Sequence, residues 1–134
     1  MRLVLVAAAA LIDRNNHILI SQRPEGKAMA GLWEFPGGKV EAGETPEAAL
    51  ARELDEELAL TVAQADLEPL TFASHTYPEF HLLMPLFVCR RWQGTPQLVD
   101  AAAARCVPIA ALKSFAMPAA DAPLVEQIHT LFSR

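Results

Sequence analysis

From Leu3 to Ile12 almost every position is apolar, and beyond Asp13-Arg14-Asn15-Asn16 a second apolar run extends from His17 to Arg23. Two continuous apolar runs separated by turn residues predict two strands joined as a hairpin. The first run follows Arg2 and is rich in alanine, as a signal peptide would be. It is too short to span a bilayer and leads straight into a turn and a second strand-like run, so a β-strand is the expectation. Leu67 to Tyr77 and Phe80 to Trp92 predict two more strands around a Pro78-Glu79 turn, and Pro85 inside the second points to an edge strand or a bulge. A turn at Gln93-Gly94-Thr95-Pro96 and a loop from Gln97 to Ala104 bring the chain to a short strand, Arg105 to Pro108.

The periodicity changes to helical in two places. Thr45 is suited to cap a helix with its hydroxyl, Pro46 suits the first helical position, and nothing breaks the helix before Leu60. At about 100° per residue, Leu50, Ala51, Leu54 and Leu58 share one stripe, and Glu53, Glu56 and Glu57 share the stripe beside it. Near the end, Leu124, Val125, Ile128, Leu131 and Phe132 line one face of a second amphipathic helix. Strands with two substantial helices give an α/β or α+β class, and periodicity takes the fold no further.

Composition narrows the function more than the fold. A chain of 134 residues suits one domain, residues 1–134, with a single core. Its net charge of −5 argues against a nucleic-acid polymer as partner, whose affinity would rest on Lys and Arg, but leaves room for a small phosphate ligand carried by a metal. Cys89 and Cys106 lie in apolar contexts without metal or redox spacing, so both are expected to be buried small hydrophobes, and cytoplasmic residence is the expectation. His17, His75 and His81 sit at turns with no third ligand at metal spacing and are expected to be loop or strand-end residues.

The glutamates are the candidate chemistry. Like charges at i,i+3 and i,i+4 repel, so something must offset the crowding of Glu53, Glu56 and Glu57. Two solutions present themselves: a solvated acidic face, or a hard cation such as Mg²⁺ or Mn²⁺, for which carboxylate oxygens are suitable ligands. The Phe35-Pro36-Gly37-Gly38-Lys39 turn ahead of the helix, Glu44 just before it and Arg52 within it favour the cation, since Arg52 can hold a glutamate through a bidentate contact. Glycines in that turn would let the main chain approach a metal or phosphate closely.

Gly38, Glu44, Arg52, Glu53, Leu54, Glu56, Glu57 and Leu60 also resemble, position for position, the box of the Nudix hydrolases, Gly-x5-Glu-x7-Arg-Glu-U-x-Glu-Glu-x-Gly-U with U aliphatic. Eight of nine specified positions agree across the 23 residues 38–60, and the departure is Ala59 in place of glycine, which suggests a slightly different helix exit. The resemblance to the MutT-type members covers nearly the whole chain. It implies an α/β/α sandwich with a mixed β-sheet and metal-dependent hydrolysis of a nucleoside triphosphate to the monophosphate and pyrophosphate. Oxidised nucleotides such as 8-oxo-dGTP are the leading substrates and CTP or 5-methyl-dCTP the alternative. A nucleotide-binding module without catalysis is the competing class.

Residue by residue, the resemblance implies metal ligation by Glu53, Glu56 and Glu57 with the Gly37 carbonyl, bracing by Glu44 and Arg52, and phosphate contacts from Arg23 and Lys39. It places Phe35 at the border of a base pocket, where core packing is the other reading. Asp100 falls where relatives carry a loop glutamate that serves as metal ligand or base, a solvated aspartate being the alternative. Asp121 falls where relatives read the base edge, the alternative or additional role being a cap on the last helix. The expected partners are a nucleotide and no membrane, with the chain a monomer or weak homodimer.

Overall fold

The computed structural model describes residues 1–97 and 103–132. Seven strands and two helices follow in the order β1 (Arg2–Leu11), β2 (His17–Gln22), β3 (Trp33–Glu34), β4 (Gly37–Lys39), α1 (Pro46–Leu58), β5 (Glu68–Thr76), β6 (Phe80–Cys89), β7 (Ala103–Pro108) and α2 (Ala122–Phe132). The strands form a mixed sheet ordered β4-β1-β6-β5 and a smaller antiparallel sheet ordered β3-β2-β7.

The alternation of β1 shows how the layers are built. Ala7, Ala9 and Leu11 face a core with Leu50, Leu54 and Leu58 of α1, while Ala8, Ala10 and Ile12 face a larger core with Leu124, Val125 and Ile128 of α2. A central strand covered on both faces has no polar side to show, which is why the sequence there is a continuous apolar run. The alanines keep both helices close. Burying Leu50, Leu54 and Leu58 completely contributes about 1.5–3 kcal/mol each relative to exposure, and this fixes which way the carboxylates of α1 point.

Several expectations change. The hairpin from Leu3 to Arg23 opens after one bridge, Ile12↔Ile18, and its arms enter different sheets: β1 pairs with β4 and β6, β2 with β3 and β7. Pro85 lies in the central strand β6, not at an edge. The parallel register with β1 runs to Leu5↔Leu83 and resumes at Ala8↔Leu86, skipping Met84 and Pro85, the second of which lacks an N–H, and the antiparallel partner β5 is irregular between Pro69 and Thr71. Cys89 is buried but Cys106 is exposed, because β7 ends its sheet and turns Val107 inward instead. On α2, Leu131 is half in solvent, whereas Phe132 packs on the larger core as expected, beneath the Arg90 guanidinium. No helix among the described residues is long and apolar enough to cross a membrane.

Helix α1 begins as expected, with Thr45 Oγ1 accepting from the Ala48 amide at 3.1 Å and Pro46 next in line. It ends through Ala59 in the left-handed region, φ 56° and ψ 37°, with the Ala59 and Leu60 amides donating to Asp55 O and Leu54 O. The exit is therefore the one a glycine would make, carried out by an alanine whose Cβ crowds the next carbonyl. Ala59→Gly is expected to stabilise the protein by about 1 kcal/mol. That corresponds to a rise in Tm of about 3–5 °C in a thermal melt, and no rise would mean the alanine is unstrained.

Candidate active site

The repulsion among the α1 glutamates is answered by Arg52, which lies at the centre of a carboxylate cage. Its Nε and Nη2 donate to Glu44 Oε2 and Oε1 at 2.8 and 2.9 Å, a bidentate fork. Its Nη1 donates to Glu53 Oε1 at 2.9 Å and Glu56 Oε2 at 3.3 Å, and Nη2 also reaches Lys39 O at 3.2 Å. Glu41 closes the group by donating its amide to Glu44 Oε1 at 3.0 Å. The fork from Arg52, and then the Glu41 amide, hold the Glu44 carboxyl down to about 2. Glu44 in turn raises the Arg52 guanidinium further above its ordinary value.

The two glycines before the helix set the depth of this cage. A Cβ on Gly38 would sit 2.7 Å from Glu53 Cγ, and one on Gly37 would sit 2.8 Å from Ala8 Cα. Their bareness thus lets β4 lie against β1 and lets the Glu53 carboxyl settle over Gly38. Glu53 is accordingly the most enclosed of the set, its side chain 16% exposed against 59% for Glu56.

Among the described residues no three Asp, Glu, His or Cys side chains are drawn around one point, because Glu53 and Glu56 are turned to the guanidinium. The donor chemistry nonetheless suits a hard divalent cation. Arg52 takes Oε1 of Glu53 and Oε2 of Glu56, which leaves the other oxygen of each to offer, and Glu57 stands on the same helical stripe.

A second group of charges lies across the fold. Arg23, just past β2, donates from Nε to Ala28 O at 2.7 Å and from Nη1 to Glu34 Oε2 at 3.2 Å. Asp121, only 4% exposed, accepts a hydrogen bond from the Phe35 amide. Burial, and then the charge of Glu34, push the Asp121 carboxyl up to about 7, and burial likewise raises Glu34. Phe35 itself is buried in the larger core, whose rim carries the half-buried Val4, Val6, Trp33, Tyr77, Phe80, Phe115 and Met117.

The structure therefore gathers Glu44, Arg52, Glu53 and Glu56 with the Lys39 carbonyl in one place, and Arg23, Phe35 and Asp121 in another. The Phe35 amide that Asp121 accepts from belongs to the β3–β4 segment. Glu34 is the member of the second group that the sequence reading passes over. Its signal was a lone carboxylate between Trp33 and Phe35, in an otherwise apolar stretch that pairs with β2 at Ser21↔Glu34. Asp100 lies outside the described residues.

A model of the NUDIX domain matches residues 7–127. The 8-oxo-dGTP diphosphatase of Escherichia coli K12 is 32% identical over 132 residues, which span 98% of this chain and 100% of that protein. The CTP pyrophosphohydrolase of the same organism is 36% identical over 134 residues, spanning 92% and 90% respectively. A solved MutT structure, from a study of the Aliivibrio salmonicida and Vibrio cholerae proteins, shares the fold with a TM-score of 0.83. It is 31% identical and covers 98% of this chain and 100% of its own.

Proposed function

The chain belongs to the NUDIX domain family, and on that premise we propose that it is a MutT-like, divalent-metal-dependent pyrophosphohydrolase that splits nucleoside triphosphates, oxidised ones such as 8-oxo-dGTP among them, to the monophosphate and pyrophosphate. The observation that carries this reading is the Arg52-centred cage, which holds Glu53 and Glu56 in a fixed relation beside Glu57. Mg²⁺ or Mn²⁺, when bound, neutralises phosphate charge and makes a water more acidic. The protein's part is to supply Glu53, Glu56, Glu57 and the Gly37 carbonyl as ligands. Arg52, braced by Glu44, holds Glu53 and Glu56 together against their mutual repulsion. Arg23 and Lys39 are cations suited to the phosphate chain, and Arg23 exchanges its contact with Glu34 for one with the substrate. Retention of all three glutamates weighs against a module that binds nucleotides without hydrolysing them. The deciding experiment incubates the protein with Mg²⁺ and a panel of nucleotides, assaying pyrophosphate and orthophosphate separately. Orthophosphate as the only product, or no turnover at all, overturns the reading.

Asp121 favours a second substrate class alongside the first. An ionised carboxylate only accepts hydrogen bonds, which suits the exocyclic amine of cytosine, whereas a protonated one donates and accepts, which suits the O6 and N7–H of 8-oxoguanine. With Asp121 raised to about 7 by burial and then by the charge of Glu34, both forms exist near neutrality. The ratio of kcat/KM for 8-oxo-dGTP to that for CTP is expected to rise as pH falls from 8 to 6. In Asp121→Asn, which donates and accepts at every pH, the ratio should be flat and high, by one or two hydrogen bonds' worth, about 0.5–1.5 kcal/mol each. A parallel pH dependence in both proteins would remove Asp121 from base reading.

A further inference from the structure

The turn between β5 and β6 is closed by the Tyr77 amide donating to Phe80 O at 2.8 Å, and it is aromatic on both arms. The Tyr77 ring lies 5.2 Å from that of Phe80 and 4.7 Å from the His75 imidazole. All three are half-buried, with Tyr77 and Phe80 packed on the rim of the larger core. Packing of this kind asks only for a flat apolar ring, which phenylalanine would provide. The hydroxyl needs another explanation.

Tyr77 Oη accepts the Ala120 amide hydrogen at 3.2 Å. Ala120 is 1% exposed and lies in the short 3₁₀ turn Ala119–Asp121, where the first amides have no partner of their own within the turn. The residue that follows is Asp121. One side-chain bond therefore ties the β5–β6 turn to the backbone that aims the buried carboxyl, across 43 residues of sequence.

We infer that Tyr77 is a positioning residue for nucleobase selection, holding Ala120 so that Asp121 meets the base edge at a fixed angle. The inference rests on the reading of Asp121 given above. Misplacement of a recognising group by a fraction of an ångström is enough to weaken a hydrogen bond that must also exclude alternatives. Tyr77→Phe removes the hydroxyl and keeps the ring. It is expected to raise KM for the preferred nucleotide about 3–10-fold, to leave kcat within about twofold, and to narrow the ratio of kcat/KM between 8-oxo-dGTP and CTP. The same change in an Asp121→Ala background should leave that ratio where Asp121→Ala alone puts it, since two residues acting through one contact are not additive.

Thermal melts of each variant accompany the kinetics. A Tyr77→Phe protein with lowered Tm but unchanged KM and selectivity, or with effects that add to those of Asp121→Ala, overturns the inference. Absence of nucleotide hydrolysis in the unaltered protein would instead bring down the functional reading beneath it.

Discussion

Glu53→Gln is expected to lower pyrophosphate release with Mg²⁺ by about 10³-fold, a loss of about 4 kcal/mol in transition-state stabilisation, with the fold intact. Glutamine keeps the volume that settles over Gly38 and an oxygen to accept from Arg52 Nη1, so packing and the 2.9 Å contact survive. What disappears is the negative charge that a hard cation requires. Glu56→Gln should be nearly as harmful despite its greater exposure, because the charge and not the burial is at issue. The comparison is of kcat at saturating Mg²⁺, with thermal melts to show that the variants are folded. A Glu53→Gln enzyme of unaltered rate would dismiss the metal-site assignment.

Arg52→Lys is the companion result. Lysine keeps the positive charge but has no fork, and so holds one carboxylate where arginine holds three. Activity is expected to fall about 10–100-fold, the range for losing a group that orients metal ligands. A pH signature separates this from a simple charge effect. The hydrogen bonds from Arg52, more than its charge, hold Glu44 at about 2, so the stability Glu44 contributes is present above the ordinary carboxylate value and lost as pH falls through about 2. In Arg52→Lys the Glu44 value should rise, and the acid decline in Tm should be smaller and finish at a higher pH. The two Tm profiles should differ above about pH 4.5 and converge toward pH 2. Coincident profiles at all pH values would mean that lysine rebuilds the cage.

Both results depend on features that differ in how openly the sequence displays them. Helix α1, its Thr45 cap and its carboxylate stripe were legible because they are local: spacing of a few residues sets capping, facing and repulsion. The counter-charge at Arg52 was legible for the same reason, and the mixed α+β arrangement followed from the resemblance and agrees with the MutT structure. The partners of strands were not legible. A period of two residues identifies β1 and β2 but does not say that they part into two sheets, or that β1 takes β6 as a parallel neighbour. Glu34 escaped notice because its meaning arises only when Arg23 and Asp121, distant along the chain, are folded against it. The exposure of Cys106 was not legible because most residues around it are apolar, whereas its exposure is set by the end position of β7.

The parallel pairing of β1 with β6 also governs the order in which this molecule can assemble. Helix α1 and the β5–β6 hairpin need only neighbours in sequence, but Arg2 must wait for Phe80 and Leu11 for Cys89. Until β6 arrives, the floor beneath Leu50, Leu54 and Leu58 lacks Phe87 and Cys89, and the alanine-rich first strand has only the short β4 beside it. Long-range closure of this kind is slow compared with helix and hairpin formation. During synthesis, at about 5–20 residues per second, the N-terminal strand therefore spends seconds as an unpaired apolar edge. Chains stalled between α1 and β6 are the species from which aggregates, or capture by chaperones, would begin.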